Sequence, residues 1–253
     1  MKVLILDIET TSLPPKGAKW EEDFNEFPYA VQIAWMFNDT LKSVIIKPEG
    51  YTIPEESTQI HGISQARAWK EGIPFYRVVD GLVKDCLEAD LIIGHNVYFD
   101  ISIIKANILR YMGMGYYKAS DCEEAFHKGK RIDTMRSAMK WVDARTQTGR
   151  LKFPRLEELY SRCFPQETFP AHDAGEDVKA VARCVPVLVE NGIIELKRKE
   201  YPAEQMEIPF NPAKKPEIPK ENPQPRENVK PEEKAENSGV SDRIQELLKD
   251  EDF

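Results

Sequence analysis

No stretch of this 253-residue chain stays apolar for the roughly twenty residues that crossing a bilayer requires, so no helical membrane span is expected. Cysteine is sparse. Cys86, Cys122, Cys163 and Cys184 form no CxxC pair and no compact disulfide framework, which fits a reducing, cytoplasmic setting. Zinc is not expected either, because Cys122 with His127 and Cys163 with Cys184 lack the spacing of zinc ligands. A glycine-rich phosphate loop of the P-loop or dinucleotide type is missing. So is an excess of positive charge: the formal net charge is −8, and no global basic field draws a polyanion in. Any such partner must be held locally, by a few side chains or by bound metal ions. The opening MKVLILDIETT has one lysine and a short apolar run but no small-residue cleavage site. It reads as a core strand and not as a signal peptide.

What the chain does contain is an alternating α/β pattern over its first 195 or so residues, then a change of texture. Residues 2–8, 31–37 and 41–47 read as strands, with Asn38-Asp39 marking a hairpin turn between the last two. Helical spacing follows over 75–89, then a short buried strand over 90–94 and a helix from Val97 to Met112. Further helices are expected near 133–142, 155–163 and 174–190. Strands first, then alternation, indicate a mixed sheet covered by helices. From residue 201 onward there are 8 Lys/Arg against 13 Asp/Glu, and eight prolines fall between 201 and 240. The expected organisation is a folded domain over 1–198, a disordered proline-rich and charged linker over 199–240, and a short amphipathic segment over 241–253. A tethered terminal segment of this kind suits docking to a replication or repair protein.

Acidic residues in unusual places carry the functional signal. Asp7 and Glu9 stand two apart at the end of the apolar LILDIETTS run, so on a strand they project from one face. Side by side and partly desolvated they resist ionising together, a conflict that a hard divalent cation removes. A pair of solvated acids beyond the strand end is the alternative. Asp100 borders the stripe formed by Val97, Ile101, Ile104 and Ile108, either facing inward or turned to solvent or an arginine. In HDAGEDVKAV, Asp173 and Glu176 form a capping-box-like helix start. That leaves His172 on the entering chain and Asp177 one turn inside, unless these acids serve only the positive helix terminus.

Together, D-x-E at 7–9, H-N-x-x-F-D at 95–100 and H-x-A-x-x-D at 172–177 resemble the DEDDh (DnaQ-like) 3′–5′ exonuclease family, with IHGIS at 60–64 and IDT at 132–134 in support. The resemblance runs from Met1 to about Asn191. It implies an RNase H-like fold: a five-stranded mixed sheet in order 3-2-1-4-5, strand 2 antiparallel, helices on both faces. It also implies two divalent cations, Mg²⁺ or Mn²⁺, with Asp7, Glu9, Asp100 and Asp177 as ligands and His172 as general base. The implied substrate is the 3′ end of single-stranded DNA, released as 5′-nucleoside monophosphates, with RNA ends the alternative. A nucleic-acid-binding adaptor that kept the fold is the non-enzymatic alternative. Thr10, Thr11, Leu13, His61 and Asn96 are the expected substrate contacts, and Asp133 is assigned a structural role. Trp20, Phe24, Phe27 and Tyr29, in the long segment 14–30, either stack on bases or pack against the domain.

Overall fold

The opening strand sorts its residues onto two faces. Leu4, Leu6 and Ile8 of β1 (Val3–Thr10) enter one core and Ile5 enters another, as the two-residue period of a strand requires. The computed structural model describes residues 1–119 and 121–197. The linker and amphipathic segment expected over 199–240 and 241–253 lie outside the described residues.

β1 pairs antiparallel with β2 (Ala30–Phe37), which turns back into β3 (Thr40–Ile45). Asn38 and Asp39 form that turn at φ 49° and 58°, the left-handed geometry of a two-residue hairpin. On its other side β1 pairs in parallel with β4 (Leu91–Gly94), and β4 pairs in parallel with β5 (Arg131–Asp133). The order is β3-β2-β1-β4-β5 with β2 antiparallel, which is the RNase H-like sheet.

Two short helices, α1 (Glu55–His61) and α2 (Gln65–Glu71), follow the hairpin and were not expected from sequence. Neither carries an apolar stripe. Ala68 of α2 joins a small core with Val31 and with Ile53 and Ile63, which flank α1. α3 (Phe75–Glu88) and α4 (Val97–Ala119) cover the face of Leu4, Leu6 and Ile8, joined by the single turn α5 (Cys122–Ala125). α4 runs past Met112 only after a break at Gly113, whose φ of 75° is non-helical. The opposite face is covered by α6 (Thr134–Val142), α7 (Leu156–Cys163) and α8 (Ala174–Glu190). Among the described residues no helix is long and apolar enough to cross a membrane.

The segment 14–30 is packed down, not displayed. Phe27 is buried, while Trp20 and Phe24 rest on the core beside α4. The Arg110 guanidinium donates to the carbonyls of Phe24 and Phe27 and lies 4.1 Å from the Tyr29 ring centre. Tyr29 stacks on Tyr51 with ring centres 4.1 Å apart. These aromatics are therefore structural, which settles the alternatives left by the sequence in favour of packing.

Candidate active site

The three acidic motifs converge at the carboxyl end of β1. Asp7 and Glu9 point from the strand toward α8, and Asp177 comes from that helix. Ligand oxygens of all three lie within 4.8 Å of one another. Asp100, in the first turn of α4, is outside this trio but close enough that its charge is the largest acidic influence on Asp7. Its side chain is buried at 3% exposure, so the inward reading holds and the solvent alternative does not.

Among the described residues no lysine or arginine is paired with this group. Burial first, then Asp100, Asp177 and Glu9, push the Asp7 carboxyl well above the usual carboxylate range. Burial, then Asp177 and Asp173, hold Glu9 up at about 8. Asp177 is raised to about 7, mainly by burial, although the His172 backbone N–H bonded to it pulls the other way. Burial also raises Asp100, against backbone N–H groups that favour its charged form. Asp100 Oδ2 and Asp177 Oδ1 are buried with no hydrogen-bond partner. Oxygen-only donors, crowded, raised and unsatisfied, fit a hard divalent cation.

Each motif is fixed by a separate local device. Gly94 lets β4 approach β1, because a Cβ there would lie 2.8 Å from the Leu6 carbonyl oxygen. After it, Asn96 adopts φ 71° and its N–H donates to Asp133 Oδ1 at 3.0 Å. The same oxygen accepts from Met135 and Arg136, capping α6. Asp133 thus ties the start of α4, and with it Asp100, to the end of β5. His95 contributes to the same junction, with Nε2 donating to the Pro154 carbonyl at 2.8 Å.

At the third motif Asp173 caps α8 as expected, accepting from the N–H groups of Gly175 and Glu176. The reciprocal half of the expected capping box is not formed, because Glu176 pairs with Lys179 at 2.6 Å. Gln32 takes up that anchoring role. It lies opposite Glu9 in the β1–β2 ladder and is 4% exposed. Its Nε2 donates to Asp173 Oδ2 and Ser43 Oγ, and its Oε1 accepts from the Ala174 N–H. Gln32 therefore sets the position of Asp177 relative to Glu9. The signal in the sequence was a lone amide inside VQIAWMF, where every neighbour is apolar.

The remaining expected residues divide. His172 sits at φ 68° with an exposed imidazole, whose Nε2 is 3.7 Å from Glu157 Oε1 and not on the carboxylate trio. His61 is buried; its Nδ1 accepts from the Ile63 N–H and its Nε2 has no partner. Burial and the nearby His172 lower its pKa to about 4, so it is neutral with the proton on Nε2. The Thr10 hydroxyl donates to the Ser12 carbonyl. The N–H of Thr11 is spent on the Tyr29 carbonyl, and its hydroxyl accepts from the Tyr29 N–H. Thr11 thus clamps the end of β1 to the end of the 14–30 segment. Leu13 is partly buried.

Two outcomes follow. Glu9 and Asp177 bind protons near pH 8 and 7 when folded, against about 4 in the unfolded chain. Their neutral forms are favoured by folding, so this stability is present at low pH and lost as pH rises through 7 to 8. The cation-free protein should lose roughly 5 °C of melting temperature between about pH 6 and about pH 8.5. Mg²⁺ should restore most of it at the higher pH, and Glu9→Gln should flatten the dependence; a rising melting temperature would contradict the charge assignment. Gln32→Leu should destabilise the chain by about 2 kcal/mol in chemical denaturation. It should also weaken Mn²⁺ binding roughly tenfold by calorimetry. Unchanged Mn²⁺ affinity would show that the Gln32 contacts do not set the site.

No curated protein matches the chain. Among solved structures, exonuclease I from Methylocaldum szegediense is similar, at 20% identity and TM-score 0.56 over 76% of this chain and 42% of its own. A product-bound exonuclease I gives 18% identity and TM-score 0.57 over 76% and 44%. Exonuclease I of E. coli in complex with a dA16 oligonucleotide gives 21% and 0.52 over 75% and 42%. At these identities the likeness is one of fold, and the chain spans less than half the length of these structures. Residues 4–185 match the family model of the RNase T-type exonucleases, and with most of its described residues inside that match the chain belongs to the exonuclease family.

Proposed function

We propose that this chain is a metal-dependent 3′–5′ exonuclease that removes 5′-nucleoside monophosphates from single-stranded DNA ends. The observation that carries the reading is the trio Asp7, Glu9 and Asp177, with ligand oxygens within 4.8 Å, in a chain of the exonuclease family. The DNA oligonucleotide held by the fold's E. coli relative supports DNA as the substrate. Such an activity suits the proofreading or trimming of 3′ ends.

Asp7, Glu9 and Asp177 would hold one divalent cation, and Asp7 with Asp100 a second. When bound, Mg²⁺ or Mn²⁺ supplies charge to the phosphodiester and lowers the pKa of the attacking water. The chain's own groups do the rest. His172 stands on the segment entering α8 and, by rotating its imidazole from Glu157 toward the trio, would take the proton from that water. Attack breaks the bond between phosphorus and the 3′ oxygen of the preceding nucleotide. A 5′-monophosphate departs, and the shortened strand keeps a 3′-hydroxyl. His61 presents its Nε2–H without a protein acceptor, which makes it a donor to a sugar oxygen of the terminal nucleotide. Thr10, Leu13 and Asn96 border the same end of the sheet.

The test is the product and polarity of digestion on 5′-labelled DNA and RNA oligomers, with and without Mg²⁺ or Mn²⁺. The expected result is stepwise shortening from the 3′ end, faster on DNA, abolished by chelation. Asp7→Ala should lower turnover by about 10³-fold or more while the fold is kept. His172→Ala should lower kcat and leave cation affinity in place. Equal digestion by wild type and Asp7→Ala would reject the reading.

A further inference from the structure

The surface of the domain is acidic on balance and exposes few large apolar side chains, yet those few are not spread evenly. Among the described residues eight are exposed, and Ile60, Trp69, Ile73 and Tyr76 supply half of them from one stretch of the chain. The same stretch is locally basic. Residues 60–77 carry Arg67, Lys70 and Arg77 against Glu71 alone, in a chain of net charge −8. Arg67 pairs with Glu71 at 3.0 Å. Lys47, from the end of the hairpin, adds its ammonium over the Trp69 ring at 5.1 Å. Arg77 lies 5.9 Å from the Tyr76 ring centre.

The hydrogen-bond ladder locates this face relative to the carboxylates. Thr10, at the carboxyl end of β1, pairs with Ala30 of β2. The next β2 residue, Val31, accepts from the Ile46 N–H. Ile46 in turn bridges in parallel to Ile73, and Lys47 donates to the Ile73 carbonyl. Ile73, with Trp69 one helical turn before it, therefore lies at the same end of the sheet as Asp7 and Glu9. Three ladder steps of about 4.8 Å put it about 14 Å across from β1. α1 reaches the end of β1 through Ser57, whose hydroxyl donates to the Thr11 carbonyl, and presents Ile60 outward.

We infer that Trp69, backed by Lys47 and continued by Ile73 and Tyr76, is a stacking platform for the single strand upstream of the scissile end. This inference rests on the proposed exonuclease reading. An exposed indole with a cation on its far side offers a base one aromatic face and its phosphates a nearby positive charge. Such a platform binds bases without reading their sequence. Ile73 lies about 14 Å from β1 by the ladder, so a strand held at the carboxylates must run on for several nucleotides before it reaches this face. The platform is then out of reach of the shortest products and engages longer strands, which gives an acidic nuclease a length preference that its metal site alone does not supply.

The experiment compares dT3 with dT12, using anisotropy of 5′-labelled strands in EDTA and steady-state hydrolysis in Mg²⁺. Wild type should bind dT12 clearly more tightly than dT3. Trp69→Ala should raise KM and Kd for dT12 roughly tenfold and remove its advantage over dT3, with Trp69→Phe restoring most of it. Lys47→Gln should lower the salt slope of dT12 binding by about one. Absence of wild-type hydrolysis with the dT12 preference intact would reject the catalytic reading and keep the platform. Equal dT12 affinity in wild type and Trp69→Ala would overturn the platform, and would assign the exposed patch to a protein partner or to none.

Discussion

Four carboxylates from three motifs gather near the end of a strand that otherwise buries Leu4, Ile5, Leu6 and Ile8, and the rest of the domain is arranged around that repulsion. Burial raises each of them and like charge raises them further. Two of their oxygens have no hydrogen-bond partner among the described residues. A chain gains nothing in stability from such a cluster unless a cation resolves it, so the cluster marks where the protein trades folding energy for chemistry.

The scaffold holds the four acids in place with hydrogen bonds and close backbone contact, while its counter-charge at Asp133, the Arg136 guanidinium at 3.4 Å, pairs with that anchoring residue. Gly94 permits β4 to reach β1, Asp133 gathers three backbone N–H groups at the foot of α4, and Gln32 fastens α8 to the sheet. An arginine or lysine in any of these places would neutralise the acids and occupy the cation's position. The amide of Gln32 anchors without doing so. The two histidines differ in the same spirit: His61 is locked and neutral, whereas His172 stands exposed on a left-handed residue, free to turn.

Much of this was legible in the sequence, because the signals were local. The alternation in LILDIETTS gave both the strand and the shared face of Asp7 and Glu9, and Asn38-Asp39 gave the hairpin. The stripe of Val97, Ile101, Ile104 and Ile108 put Asp100 on its border, and the structure decides for the inward side. What escaped depended on contacts between distant residues. α1 and α2 have no amphipathic stripe: α2 is anchored by Ala68 in the core of Val31, Ile53 and Ile63, and α1 by the Ser57 hydroxyl on the Thr11 carbonyl. The bond from Gln32 to Asp173 spans 141 positions, which no local pattern encodes. The bond between Thr11 and Tyr29 spans 18 positions and follows a strand irregularity between Glu9 and Thr10.

Diffraction from crystals soaked in Mn²⁺, recorded at the manganese absorption edge, tests the central claim most directly. The account predicts an anomalous peak bounded by the oxygens of Asp7, Glu9 and Asp177, and a second one between Asp7 and Asp100 once nucleotide is added. Well-ordered carboxylates with no anomalous density among them, in crystals that take up Mn²⁺ elsewhere, would contradict it.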